Sequence, residues 1–264
     1  MKKKIFILLT NWVSNWWFRF PSRKTNLILL PQGESSLLMA QLLELILSRE
    51  GEKVGFLSSA KATLNKEELK IGAEVNWEQS WSLQRYLQEM VSRGANYILL
   101  LFPFNAAVIS VLEGVEKTLL LLPPKEQKRR HQREEEGRWW QKLASGTPFL
   151  VLPQEHWAYS FLQRQAAGKK VSYGPEAPAQ VRSAKVQSGE WGLFFYYTNS
   201  QSLWKNQLSL DRALKLKKAR RGDLELLLGV IAAATTLNVP EFRIRESLEE
   251  FFFPSSKSSS DMLK

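Results

Sequence analysis

Residues 26–59 read NLILLPQGESSLLMAQLLELILSREGEKVGFLSS, and they carry the outline of a nucleotide-binding unit. A short apolar strand, Leu27 to Leu30, runs into a turn holding Gly33, and an apolar-periodic helix follows. Gly51 and a second strand, Val54 to Leu57, complete a β-α-β frame. In an ATPase the turn would supply glycines, a lysine and a hydroxyl residue to hold phosphates and magnesium. Here it reads Pro31-Gln32-Gly33-Glu34-Ser35-Ser36-Leu37. The frame of a phosphate site is present without its chemistry.

The same alternation continues outward. A strand at 54–57 leads to a hairpin around Asn65, and the next helix places Leu83, Leu87, Met90 and Val91 on one face, with Gly94 as its C-cap. Tyr97 to Phe102 is a continuous apolar strand, Val111 to Glu116 a short helix or turn, and Thr118 to Leu122 a buried strand stopped by Pro123-Pro124. A charged helix ending at Gly146, the strand TPFLVLP and a helix over EHWAYSFLQRQAAG come next. Strands apolar on both faces, alternating with amphipathic helices, predict an α/β fold with a mainly parallel sheet covered on both faces. From Lys169 on, KKVSYG, AQVRSAKVQ, GLFFYYTNS and QLSLDRALKL read as short antiparallel strands, before two closing helices over DLELLLGVIAAATTLNV and PEFRIRESLEEFF. The expected division is an aromatic and basic segment at 1–25, one α/β domain at 26–254, and a disordered tail at 255–264.

With 264 residues, 44% of them hydrophobic, the chain can bury a large core. It has no cysteine, which excludes disulfides, thiolate metal sites and cysteine nucleophiles, and only two histidines, His131 and His156, too few for a multi-histidine metal centre. A net charge of +11 points to an acidic partner: nucleic acid, anionic lipid or a phosphorylated ligand. At the N-terminus the apolar run Ile5 to Leu9 is too short for a signal peptide or a membrane span. Lys2 to Lys4, Arg19, Arg23 and Lys24 interleave with Trp12, Trp16, Trp17, Phe18 and Phe20. Residues 1–24 therefore read either as a helix lying on an anionic membrane surface or as aromatics packed on the domain. The expected location is cytoplasmic, with peripheral attachment to the inner face of the membrane as its variant.

Four stretches resemble the central, ATP-binding domain of the Mur ligases, specifically the branch of the UDP-N-acetylmuramyl-tripeptide synthetases. They are FPSRKTNLILL, LLELILSREGEKVGFLSS, WSLQRYLQEMVSRGANYILL and GVIAAATTLNVPEFRIRESLEEF, covering about residues 18–102 and 222–252 in the family's order. The resemblance implies the same α/β fold, a link to peptidoglycan biosynthesis, and ATP with magnesium as cofactors. The matched positions depart from the family at each motif. Laid on its phosphate loop, Ser35 falls at the second glycine, Ser36 at the lysine and Leu37 at the magnesium-binding threonine. Glu34 adds a negative charge where a triphosphate would sit. Leu101 stands at the magnesium-ligating glutamate and Asn105 at a histidine, and Asn76-Trp77-Glu78 replaces a threonine-threonine-proline stretch. The carbamylated lysine falls at Trp140, with Lys142 close by, and the asparagines opening the closing helix fall at Glu225 and Leu228. The chain also reads as lacking the family's flanking substrate and amino-acid domains.

Other chemistry is thinner. Ser35 or Ser36 at the helix start reads as an N-cap, or as a residual anion site. His156 beside Glu155 reads as structural, and Glu134 to Glu136 beside Arg129, Arg130 and Arg133 as a self-paired solvated face. The densest basic segment, Arg212, Lys215, Lys217, Lys218, Arg220 and Arg221, is a candidate contact patch, with no nucleic-acid module beside it. The expectation is a pseudoenzyme with no catalytic or metal residues and no cofactor, acting by binding a partner such as an intact Mur ligase or another cell-wall enzyme. The alternatives are an ATP-dependent acid–amino-acid ligase with an altered or partner-completed site, and a membrane-surface adaptor.

Overall fold

The computed structural model of the chain describes residues 21–69, 75–124, 130–157, 168–199 and 212–252, together with 13, 159, 162 and 164. The N-terminal aromatics Trp12, Trp16, Trp17, Phe18 and Phe20, the tail at 255–264 and the side chains of His131, Glu134 and Glu135 lie outside the described residues.

Among the described residues eleven strands form one sheet: β1 (Asn26–Pro31), β2 (Val54–Leu57), β3 (Ala62–Leu64), β4 (Glu67–Glu68), β5 (Tyr97–Phe102), β6 (Leu119–Leu121), β7 (Phe149–Pro153), β8 (Lys169–Gly174), β9 (Val181–Gly189), β10 (Gly192–Asn199) and β11 (Arg212–Leu216). Their spatial order is β11-β10-β9-β8-β7-β6-β1-β5-β2-β3-β4. The six strands from β8 to β2 are all parallel. The α-helices described along their whole length are α1 (Glu34–Arg49), α2 (Ser80–Ser92), α3 (Ala106–Glu113), α4 (Arg130–Ala144), α5 (Leu224–Thr236) and α6 (Glu241–Phe252).

Successive side chains of a strand point to opposite faces, so a strand buried on both must be apolar throughout. In β1, Ile28 and Leu30 join the core under α1, α5 and α6, whereas Leu27 and Leu29 join the core under α2, α3 and α4. α1 meets the first core through Met39, Leu42, Leu43 and Ile46, spaced as a helix face requires. α2 meets the second through Leu83, Leu87 and Met90, and Gly94 behind it takes φ +89, the left-handed geometry of a helix stop.

β1 and β5 lie in the same sheet as hydrogen-bonded neighbours, in register from Leu27↔Ile98 to Leu30↔Leu101. The hairpin around Asn65 forms between β3 and β4, with Asn65 and Lys66 both at positive φ. Two elements differ from the sequence reading. KKVSYG is not part of the antiparallel region: β8 pairs parallel with β7 from Phe149↔Lys169 to Pro153↔Tyr173. Its Val171 and Tyr173 are fully buried in the α1–α5–α6 core, so it belongs to the covered parallel layer; β9 joins it by a short parallel pairing, and the antiparallel pairings of this half are β9–β10 and β10–β11. The helix expected at Val111–Glu116 runs over Ala106–Glu113 instead, because Asn105 Oδ1 accepts from Val108 N–H and starts it early.

Two outcomes test this packing. A Cβ on Gly229 of α5 would lie 2.6 Å from Met39 Cε and 2.9 Å from Tyr173 Cζ. Met39 can yield, but Tyr173 is fully buried and its hydroxyl donates to Leu122 O. Gly229→Ala should therefore destabilise the protein by about 1–2 kcal/mol in urea unfolding, despite alanine's higher helix propensity. Lys117 is buried, with Nζ donating to Leu112 O at 3.1 Å; burial, partly offset by Glu113, pushes its pKa down to about 8 from an ordinary 10.5. Between those values the unfolded chain binds more protons than the folded one, so stability should rise with pH through that window. Lys117→Met should flatten the rise in urea midpoints measured across it.

Candidate functional site

β1 is the strand where the chain reverses its direction of winding. β2 and β5 lie on one side of it, and β6 and β7 on the other. In open parallel sheets the ligand crevice forms at such a switch point, outside the carboxyl ends of the strands. The loops that meet there are Pro31 to Gly33 after β1, Pro103 to Asn105 after β5, Leu122 to Pro124 after β6, and Gln154 to Trp157 after β7.

The loop after β1 keeps the outline of a phosphate loop. Gln32 N–H donates to Phe102 O at 2.8 Å, and Ser59 Oγ donates to Gln32 Oε1 at 3.1 Å. Gly33 is the N-cap of α1, in extended geometry, and no side chain caps the helix. This corrects the reading of Ser35 or Ser36 as the cap: both already lie inside the first turn, because α1 begins at Glu34. Ser36 is buried, and its Oγ has no hydrogen-bond partner among the described residues. Glu34 is exposed, and Leu37 turns an apolar side chain outward, 40% exposed. A helix N-terminus attracts anions through its free N–H groups. The carboxylate of Glu34, in the first turn, already interacts favourably with that dipole and would repel a phosphate.

The other matched positions have structural duties. Leu101 is buried in the α1 core, and Asn105 caps α3. Asn76 Oδ1 accepts from Glu78 N–H, and Trp77 is buried in the α2 core. Leu228 is fully buried, and Glu225 stands half-buried in the first turn of α5. Lys142 does not point into the crevice; its Nζ pairs with Glu113 at 3.2 Å.

Aromatic rings occupy the crevice. Phe104 stacks on Trp140 with centroids 4.3 Å apart at 28°, meets Trp139 edge-on at 5.4 Å, and leans on Phe102 at 6.1 Å. Trp157 lies across the mouth beside His156, their centroids 5.5 Å apart. The space left between Gln32, Pro123, Pro124, Glu136 and these rings is about 50 Å³. Pockets for small molecules run to about 300–1,000 Å³, so the remainder suits a water or two. The resemblance had located Trp140 here. Phe104 went unread, since an aromatic after Phe102-Pro103 has no periodicity to mark it.

No protein-family model and no curated protein match the chain. Solved structures do. A UDP-N-acetylmuramoyl-L-alanyl-D-glutamate–2,6-diaminopimelate ligase superposes with TM-score 0.70 at 12% identity, over 90% of this chain and 49% of its own. The fold is Mur-ligase-like. The D-alanyl-D-alanyl-adding Mur ligase of Acinetobacter baumannii gives 0.68 at 15% identity over 92% and 50%. The folylpolyglutamate synthetase of Lactobacillus casei gives 0.62 at 11% over 90% and 65%. Thus the chain spans about half the length of the Mur ligases it matches. The likeness is of fold, shared by Mur ligases and the folate enzyme, and it does not single out the tripeptide-synthetase branch.

Magnesium-ATP, which the resemblance implies, does not fit the residues present on this Mur-ligase-like frame. The loop offers no cation, its outward side chain is leucine, and the crevice beside it is packed with rings. Trp140→Ala would leave a cavity beneath Phe104 and should cost about 3–5 kcal/mol of stability. Asn105→Ala, removing only the α3 cap, should cost about 1 kcal/mol. Chemical denaturation of the two variants checks the order; equal small losses would show that the aromatic stack is not packed as described.

Proposed function

We propose that this chain is a non-catalytic member of peptidoglycan biosynthesis that uses a Mur-ligase-like fold to bind a protein partner, such as an intact Mur ligase or another cell-wall enzyme. One observation carries the reading: among the described residues, Phe104, Trp140 and Trp157 line the switch-point crevice, and the pocket between them holds about 50 Å³. Phosphoryl transfer depends on positioned cations and metal ligands, and a serine, a leucine and a tryptophan supply neither. With Leu101 and Asn105 serving the core and a helix cap, the parallel frame around the crevice is left to recognition.

Calorimetric titration with millimolar Mg-ATP should give no heat beyond dilution; saturable binding at micromolar affinity would revive the ligase alternative. Repairing the loop by Ser35→Gly, Ser36→Lys and Leu37→Thr should not create phosphate release, with or without muropeptide substrates. Leu101 and Trp140 would still stand in place of a carboxylate and a lysine, and residue 36 is a buried position that would have to take an ammonium. A substrate-stimulated ATPase in the repaired variant would show the scaffold to be far less altered. For the partner, affinity capture from the native cells with mass spectrometry should enrich an enzyme of peptidoglycan synthesis, and enrichment of unrelated proteins alone would remove that part of the proposal.

A further inference from the structure

The antiparallel extension β9–β11 has one covered face, and its other face carries half-buried and exposed residues. Leu193, Phe195, Tyr197, Leu214 and Leu216 point inward and are buried in the α1–α5–α6 core. Along the strands β9 runs on past its pairing with β8, which ends at Gly174↔Arg182, for the residues from Ser183 to Gly189. At about 3.3 Å per residue that carries the β9–β10 turn some 20 Å beyond the end of β8.

Two turns meet at this tip. Gly192, at φ +119, pairs with Gly189, and a Cβ on it would lie 2.2 Å from Leu216 O and 2.6 Å from Lys217 Cα. The chain leaving β11 is therefore packed directly against the β9–β10 turn, and Lys217 and Lys218, both exposed, emerge beside Trp191. The indole of Trp191 lies over Gly189, with Nε1 2.9 Å from where a Cβ would stand, and remains 44% exposed. Lys215 Nζ sits over its ring, 5.8 Å from the centroid. Across the segments 181–199 and 212–223 there are eight Lys and Arg against two carboxylates, Glu190 at the tip and Asp223, whose carboxylate accepts from Arg220 N–H. That imbalance supplies over half of the chain's surplus charge.

We propose that this tip docks on an anionic lipid surface, with Trp191 entering the headgroup region and Lys215, Lys217 and Lys218 facing the lipid phosphates. Tryptophan favours the interface between water and hydrocarbon, where its apolar body and polar N–H are both accommodated. Lysines beside it gain from the negative surface potential, by roughly fivefold in partitioning for each residue close to the surface. The geometry argues against a nucleic-acid strand, which needs a row of open ring faces for its bases. Here Lys185 stands over Tyr196 at 5.3 Å, Lys215 covers Trp191, and half-buried Phe194 and Tyr196 close on each other edge-to-face at 5.3 Å. It argues equally against a stable protein contact, which buries about 800 Å² a side and is depleted in lysine. The inference does not depend on the crevice or on the proposed partner.

The test is lysine acetylation footprinting of the full chain, read by mass spectrometry, with vesicles of equal parts phosphatidylglycerol and phosphatidylcholine. Lys215, Lys217 and Lys218 should be protected by these vesicles, and neither by phosphatidylcholine alone nor by a single-stranded oligonucleotide. In co-sedimentation, the variant Lys215→Gln, Lys217→Gln, Lys218→Gln should bind the acidic vesicles roughly a hundredfold more weakly. Trp191→Ser should weaken binding as well. Phe242→Ser, on α6, removes an exposed ring that lies beside a cation away from the tip, 64% exposed under Arg243, and should leave binding unchanged. Protection confined to other lysines, protection by the oligonucleotide instead, or undiminished binding of the triple variant would each overturn the proposal.

Discussion

Burial of β1 on both faces is the constraint from which the rest of the molecule follows. Leu27, Ile28, Leu29 and Leu30 have no solvent exposure, and alternate residues feed two separate cores. Each such side chain is worth about 1.5–3 kcal/mol on burial, so neither helical layer can be lifted without exposing one half of this strand. The backbone is held as firmly, by β5 along one edge and β6 along the other. A strand clamped on four sides fixes where its own loop ends, and hence where the crevice must be.

What fills that crevice decides what the fold can do. A doubly wound sheet leaves a cleft at its switch point by geometry alone, and the cleft must hold ligand, water or side chains. In this chain the rings of Phe104, Trp139, Trp140 and Trp157 close it, and the loop after β1 contributes Glu34 and Leu37 outward in place of a cation and a hydroxyl. Of the polar residues near it, Asn105 caps a helix and Lys142 pairs with Glu113.

The sequence by itself determined the parallel half of the sheet, because continuous apolar runs such as Leu27–Leu30 and Tyr97–Phe102 can be satisfied only between two helical layers. It also determined the hairpin at Asn65 and the stop at Gly94, whose backbone geometry is written in residue type. The chemistry of the loop was legible too, since Gly33, Glu34, Ser35, Ser36 and Leu37 include no cation. Tertiary structure alone decided the remainder. KKVSYG has the composition of any short strand, and only the packing of Val171 and Tyr173 under the helices assigns it to the parallel layer. Ser35 and Ser36 looked like caps until the helix began one residue before them, leaving Ser36 buried. Phe104 and Trp140 are 36 positions apart in the chain and meet only because β5 and α4 deliver them to one end of the sheet. Trp191 and Lys217 are joined in the same way, by a glycine small enough to let two turns touch. Local patterns specify which faces are buried; the side chains that meet at a crevice or a tip are set by strand order, which no single segment encodes.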